Sequence, residues 1–165
     1  MTTGIVIVVH APLGAAMREC ASHVMGDLDG MLAIHDIQPE DRPDEQAPAV
    51  LKDILGQDHG AGVLVLTDLI GATPANISKR AVADAQAQGI QCCVLAGLNT
   101  PMLLRALTYR NLPLAETREK ALAGGVQGVL RVTDGQKFAL ICRLAIQVKK
   151  MRLVFGDLLR STLRR

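Results

Sequence analysis

The stretch GVLVLTDLIGATPAN, residues 62–76, passes from an apolar run through a short loop into the start of a helix. The run from Val63 to Thr67 is aliphatic and β-branched and too short for a helix, which is typical of a buried strand. Thr73 is a good N-cap, and Pro74 suits the first position of a helix. We therefore predict a strand over that run and a helix from about Pro74 to Gln88.

The same alternation of short apolar runs and longer helix-period segments continues on both sides of this stretch. Further strands are predicted at Ile5–Val9, at Met31–Ile37, over IQCCVLAG at 90–97 and over GVLRV at 128–132. Further helices are predicted at Leu13–Met25, at Val50–Leu55, after Pro101 and over PLAETREKALAGG at 113–125. The polar, Pro-rich residues 38–48 are predicted to form a surface loop, with a helix beginning after Pro48. This pattern indicates an α/β fold, an open, doubly wound, mostly parallel sheet flanked by helices.

Composition excludes several classes of function. Apolar residues make up 49% of the 165 residues and charged residues 21%, which is typical of a globular domain. Aromatic residues are only 2%, so we expect no stacking platform for nucleic acid. No apolar run approaches the ~20 residues of a membrane-spanning helix, and no basic leader precedes the first strand.

The sequence patterns of common cofactor sites are missing. No Cys/His cluster predicts a metal site, and no G-x-G-x-x-G follows the first strand, so we expect neither metal nor cofactor. The cysteines have no C-x-x-C spacing and are interpreted as buried free thiols of a cytoplasmic protein: Cys20, Cys92, Cys93 and Cys142. The remaining histidines are interpreted as surface or partly buried residues: His23, His35 and His59.

Charge divides the chain into two parts. Residues 1–132 carry a net charge of −4 and residues 133–165 a net charge of +6. We therefore predict a domain over 1–132 and a basic amphipathic C-terminal extension over 133–165. From Ile141 the apolar residues of this extension keep helical spacing. Two interpretations stay open. One is a terminal helix that packs on the domain or its dimer mate, or a partly disordered extension. The other is a basic amphipathic segment that binds a membrane surface or an acidic partner.

A histidine and an aspartate follow two of the predicted strands. His10 ends the first strand and Asp68 ends the third, and the carboxyl ends of parallel strands meet at one rim. If the two side chains touch, the carboxylate fixes the imidazole tautomer and leaves the other ring nitrogen as a nucleophile. The alternative is a solvent-facing histidine and an aspartate that caps a turn.

The residues after Asp68 favour the first interpretation. Gly71 permits a sharp turn, and the N–H groups of the helix that starts near Thr73 point at the same rim, where they can receive a phosphate. His10, Asp68 and this helix start together predict a histidine that is phosphorylated.

Three motifs in order resemble one protein family. They are IVIVVH at 5–10, VLVLTDLIGATPAN at 63–76 and AGLNTPMLLRALTYR at 96–110. Over roughly residues 4–132 the chain resembles the EIIA component of the mannose class of the bacterial sugar phosphotransferase system. The resemblance implies that His10 accepts a phosphoryl group from phospho-HPr and passes it to an EIIB partner, with Asp68 orienting the imidazole.

The resemblance also implies a wider site and a setting. It assigns the phosphoryl pocket to Gly71, Ala72 and Thr73, and it places a loop beside the site that holds Asn99, Pro101 and Met102. It implies a cytoplasmic homodimer without metal. The chain departs from the family at Ala72, where a second glycine is usual, and at Ala75, where an aromatic is common.

The resemblance leaves the biological role open between transport and regulation. One hypothesis is a sugar-uptake component whose EIIB is a separate chain. The other is a stand-alone regulatory phosphoprotein whose phosphorylation state controls a binding partner. A phosphoryl donor for a dihydroxyacetone kinase fits less well. The sugar is not readable from this chain, because specificity resides in the partners.

Overall fold

A computed structural model describes residues 1–130, which form alternating strands and helices. The strands are β1 (Thr2–His10), β2 (Ala33–Ile37), β3 (Gly60–Thr67) and β4 (Cys92–Ala96). The helices are α1 (Leu13–Met25), α2 (Pro43–Gln57), α3 (Thr73–Ala87), α4 (Thr100–Thr108) and α5 (Leu114–Gln127). Within residues 1–130, no helix is long and apolar enough to cross a membrane.

The four strands form one parallel sheet in the order β2-β1-β3-β4. This order confirms the predicted open α/β fold, and it places β1 and β3 side by side at the centre. The loops that follow β3 and β4 are joined by backbone hydrogen bonds, from the Gly97 amide to the Asp68 carbonyl at 3.0 Å and from the Leu98 amide to the Thr67 carbonyl at 2.9 Å. The sheet edge that carries the site is therefore cross-linked beyond the strand ends.

Apolar side chains cover both faces of the sheet, as a parallel sheet between helices requires. On β1, Ile5, Ile7 and Val9 pack into a core with α1 and α4, whereas Val6 and Val8 pack into a second core with α2 and α3. Successive side chains of a strand point to opposite faces, so His10 continues the series that faces α2 and α3.

The prediction of a loop over 38–48 was wrong in its second half. Helix α2 begins at Pro43, and the amides of Glu45 and Gln46 both donate to the Arg42 carbonyl at 3.1 Å. The ring of Pro43 presets a helical φ at the first position, and the acidic residues of the first turn favour the positive end of the helix. Pro48, which was expected to precede the helix, lies inside it.

Other differences are local. Cys20 is exposed on α1 rather than buried, whereas Cys92 is buried as predicted. In the predicted fifth strand, residues 128–130 are not in a strand, because α5 continues to Gln127 and Gly128 caps it. The rest of that strand lies outside the described residues, as do the predicted boundary at 132 and the extension over 133–165.

Close packing between β1 and α2 makes position 4 intolerant of a side chain. A Cβ on Gly4 would overlap the carbonyl oxygen of Gln57, which is backbone and has little room to move, whereas one on Gly56 would meet open space. We expect Gly4→Ala to lower the free energy of unfolding by about 1–3 kcal/mol. The control Gly56→Ala should raise it by up to about 1 kcal/mol, since alanine favours a helix interior. Urea unfolding followed by circular dichroism measures both, and equal stability of the two variants would contradict the packing.

Candidate active site

His10 and Asp68 are in contact at the carboxyl ends of the two central strands. His10 is the last residue of β1, and Asp68 directly follows β3. The His10 Nδ1 lies 2.8 Å from Asp68 Oδ2, and the His10 amide donates to the same oxygen at 3.2 Å. The Leu69 amide donates to the other oxygen, Oδ1, at 2.8 Å. The structure thus brings together two residues whose contact strand position alone had left open.

The contact assigns the chemistry of the two ring nitrogens. An ionised carboxylate only accepts hydrogen bonds, so Nδ1 of a neutral His10 carries the proton and Nε2 keeps its lone pair. The His10 side chain is 48% exposed and that of Asp68 only 15%. A fixed tautomer on an exposed ring is an arrangement suited to a nucleophile.

Asp68 is held in its charged form. Burial raises the pKa of the Asp68 carboxyl, but the hydrogen bonds from the His10 ring and from the His10 and Leu69 amides outweigh burial. The pKa of this carboxyl therefore lies below its ordinary value.

A tight turn carries the chain from Asp68 to α3. The Ala72 amide donates to the Leu69 carbonyl at 3.3 Å, and Gly71 has a φ of +83°, which a residue with a Cβ rarely adopts. Leu69 is 59% exposed and Ile70 74% exposed at the tip of this turn. Neither residue was predicted to belong to the site. Their signal was a pair of large apolar side chains directly after a candidate site aspartate.

Helix α3 begins without a side-chain cap. Ala72 is the N-cap, with extended backbone, and Thr73 is the first helical residue rather than the predicted N-cap. Pro74 occupies the second position, which tolerates proline because the amides of the first turn have no partner within the helix. Ala75 is 2% exposed and lies in the core.

Helix α4 begins with its cap filled. The Asn99 side chain accepts a hydrogen bond from the Met102 amide at 3.0 Å and donates to the Gly125 carbonyl at 3.2 Å. Pro101 lies in the first turn, and the Met102 side chain is buried in the core with α1. These three residues thus build the helix that follows the rim loop of β4.

Helix α1, which starts three residues after His10, also has its first turn occupied. Its N-cap, Pro12, offers no side-chain acceptor. Instead Asp36, near the end of β2, accepts hydrogen bonds from the Gly14 amide at 2.6 Å and the Ala15 amide at 3.0 Å. Asp36 was not predicted to belong to the site, because the helix turn that it caps lies 22 residues away in the chain.

Metal ligands do not accompany these groups. Across residues 1–130, no group of three or more His, Cys, Asp or Glu side chains is placed to hold a metal ion.

The low pKa of Asp68 ties stability to acid pH. The unfolded chain binds a proton at this carboxyl at its ordinary pKa of about 3.9, above that of the folded state, so stability rises with pH between the two values. We expect wild type to exceed Asp68→Asn in stability above the ordinary pKa, and the difference to shrink as pH falls through the folded value. Urea unfolding from pH 3 to pH 7 measures it. A difference that stays constant would contradict this assignment.

Comparison with known proteins agrees with this fold. A model of the PTS system fructose IIA component, EIIA-man, matches residues 4–122. A sequence search of curated proteins gave no match.

Several solved structures are similar at low sequence identity. The mannose/sorbose-specific IIA subunit of the phosphotransferase system from Enterococcus faecalis shares 22% identity over 81% of this chain and 97% of its own, with a TM-score of 0.70. The EIIA component from Streptococcus agalactiae shares 21% over 78% and 96%, with a TM-score of 0.69. The PTS IIA protein associated with the fucose utilization operon from Streptococcus pneumoniae shares 19% over 80% and 96%, with a TM-score of 0.63.

These structures establish a shared fold, and the family model covers well over half of the chain. The chain therefore belongs to the EIIA-man family, the mannose/fructose-type IIA components of the phosphotransferase system.

Proposed function

We propose that this protein is a cytoplasmic histidine phosphocarrier. His10 accepts a phosphoryl group from phospho-HPr and passes it to an EIIB partner in sugar uptake. The observation that carries the proposal is the 2.8 Å contact between His10 Nδ1 and Asp68 Oδ2, in which the His10 side chain stays exposed. Membership of the EIIA-man family supports the same role.

The contact suits transfer between two histidines. The Nε2 lone pair of His10 attacks the phosphorus of the donor phosphohistidine, so a new N–P bond forms as the old one breaks. The donor ring, protonated on its other nitrogen, leaves as neutral imidazole with the bonding electron pair, so no proton has to move. The phosphorylated His10 ring keeps its Nδ1 proton and becomes cationic, and the Asp68 carboxylate offsets that charge.

We assign the phosphoryl group to the start of α3, at Gly71, Ala72 and Thr73. A helix start attracts anions through its free amides and its dipole. No side chain caps α3, whereas Asp36 occupies the start of α1 and Asn99 that of α4. The strand alternation of β1 also turns His10 toward the face on which α3 packs.

The turn tip offers a contact for partner proteins. Leu69 and Ile70 are largely exposed and adjoin Asp68 in sequence. Exposed apolar side chains beside a transfer site can be buried by an incoming protein, and this burial would favour docking. The partner must bring its own histidine within bonding distance of His10, so a docking contact this close to the site suits both donor and acceptor.

Phosphorylation of His10 can be tested by intact mass. We expect wild type, incubated with phosphoenolpyruvate, Enzyme I and HPr, to gain one acid-labile phosphoryl group, and His10→Ala to gain none. His35→Gln is the matched control, because His35 also contacts an aspartate, Asp53, at 2.7 Å but is only 16% exposed. Wild type that gains no mass with active HPr would overturn the proposal. Transfer onward to EIIB, or its absence, separates transport from the regulatory alternative.

The contribution of Asp68 can be measured as a rate. Asp68→Asn keeps an acceptor oxygen for Nδ1 but removes the negative charge that offsets the cationic phosphorylated ring. We expect single-turnover transfer from phospho-HPr to slow about tenfold or more. Rapid-quench sampling with labelled phosphoenolpyruvate measures the rate, and a variant as fast as wild type would exclude this role.

A further inference from the structure

We propose that Asp36 is a positioning residue for His10. It holds the start of α1 against β2, and through α1 it fixes the short segment between His10 and Gly14. Its effect on transfer rests on the proposed function, whereas its effect on the His10 ring does not.

The sheet register places Asp36 beside the site. In the β1–β2 pair, Asp36 lies opposite Val9, and its neighbour Ile37 lies opposite His10. The Ala11 amide, directly after His10, donates to the Ile37 carbonyl at 3.0 Å. The edge strand β2 therefore holds Ala11, the residue after His10, by a backbone hydrogen bond.

The carboxylate of Asp36 also binds the start of α1 to the same strand. Its two oxygens accept from two successive amides of the first turn of α1, those of Gly14 and Ala15, at 2.6 and 3.0 Å. These amides have no partner within the helix, and a negative charge at this end also suits the helix dipole. Asp36 is thus a side-chain cap supplied by a neighbouring strand.

Gly14 is what allows so close an approach. A Cβ at this position would lie 2.5 Å from Ile34 Cγ2 and 2.8 Å from Asp36 Oδ1. The missing side chain lets the helix backbone come down onto β2, within reach of the carboxylate. The short spacing from His10 to Gly14 thus places the first turn of α1 next to the end of β2, where Asp36 can cap it.

His10 is consequently held from both neighbouring strands. From β3, Asp68 binds its ring and its amide. From β2, Asp36 and Ile37 fix the residues that follow it. Loss of the contacts from β2 should displace Nε2 even though the contact with Asp68 remains. Because a small displacement of a reacting group lowers the rate strongly, transfer should become slower.

The test compares two Asp36 variants with a control on the same strand. Asp36→Ala removes both acceptors, and Asp36→Asn keeps one. Asp53→Asn weakens the contact of His35 with α2, so it loosens β2 without freeing α1. The readouts are the imidazole ¹⁵N signals of His10, measured without any partner, and the kcat and KM of transfer from phospho-HPr.

We expect Asp36→Ala to shift and broaden the His10 ring signals, because the ring is less well positioned, while Asp68 keeps the proton on Nδ1. Its kcat should fall about tenfold with KM within about twofold of wild type. Asp36→Asn should change the ring signals in the same way, and its kcat should fall about threefold. Asp53→Asn should match wild type in both readouts.

Ring signals unchanged in Asp36→Ala, or equal changes in Asp53→Asn, would overturn the proposal. If Asp36→Ala does not fold, Asp36→Asn decides: ring signals and kcat equal to wild type would then overturn it. If wild type accepts no phosphoryl group at all, the proposed function fails, while the ring signals still decide the role of Asp36.

Discussion

Parallel pairing of β1 with β3 is the constraint on which this site depends. Parallel strands end at the same edge, so the residues that follow two neighbouring strands are brought together wherever they lie in the chain. His10 and Asp68 are 58 residues apart and meet at 2.8 Å for this reason. The helices on both faces supply the apolar surface that makes a fully parallel sheet stable. The four helices that follow the strands, α1 to α4, begin at the same rim.

The rim therefore holds several helix starts, and the structure treats them differently. Two of them are filled by side chains, α1 by Asp36 and α4 by Asn99. Helix α2 carries Asp44 and Glu45 in its first turn. Helix α3 has neither a side-chain cap nor an acidic residue there. Among these four helix starts, the start of α3 therefore offers the positive end of a helix dipole without a competing acceptor or acidic side chain. An anion at the rim would be attracted to it, next to the turn that follows Asp68.

Most of the fold could be predicted from sequence because the central strands are buried on both faces and read as unbroken apolar runs. The nearness of His10 and Asp68 was predictable because strand ends in a parallel sheet share an edge. Their contact was favoured over a solvent-facing histidine only by the residues that follow Asp68. The start of α2 was missed because Pro43 and Pro48 favour a loop in composition, yet one suits a first turn and the other is tolerated inside. Asp36 was missed because a cap supplied from another strand leaves no local pattern. The Thr73 prediction was displaced by one residue, since the extended backbone of Ala72 takes the N-cap role.

The hydrogen bonds from Gly97 to Asp68 and from Leu98 to Thr67 tie the loops of β3 and β4 into one rim. Because Asp68 occupies Nδ1 of His10, the ring has a single nitrogen left to react, and this nitrogen can bond only one phosphorus at a time. In the proposed role, donor and acceptor proteins must therefore visit the same nitrogen in turn, each leaving before the other arrives. Transfer of this kind is a double displacement, and an excess of either unphosphorylated partner would act as a competitive inhibitor of the other.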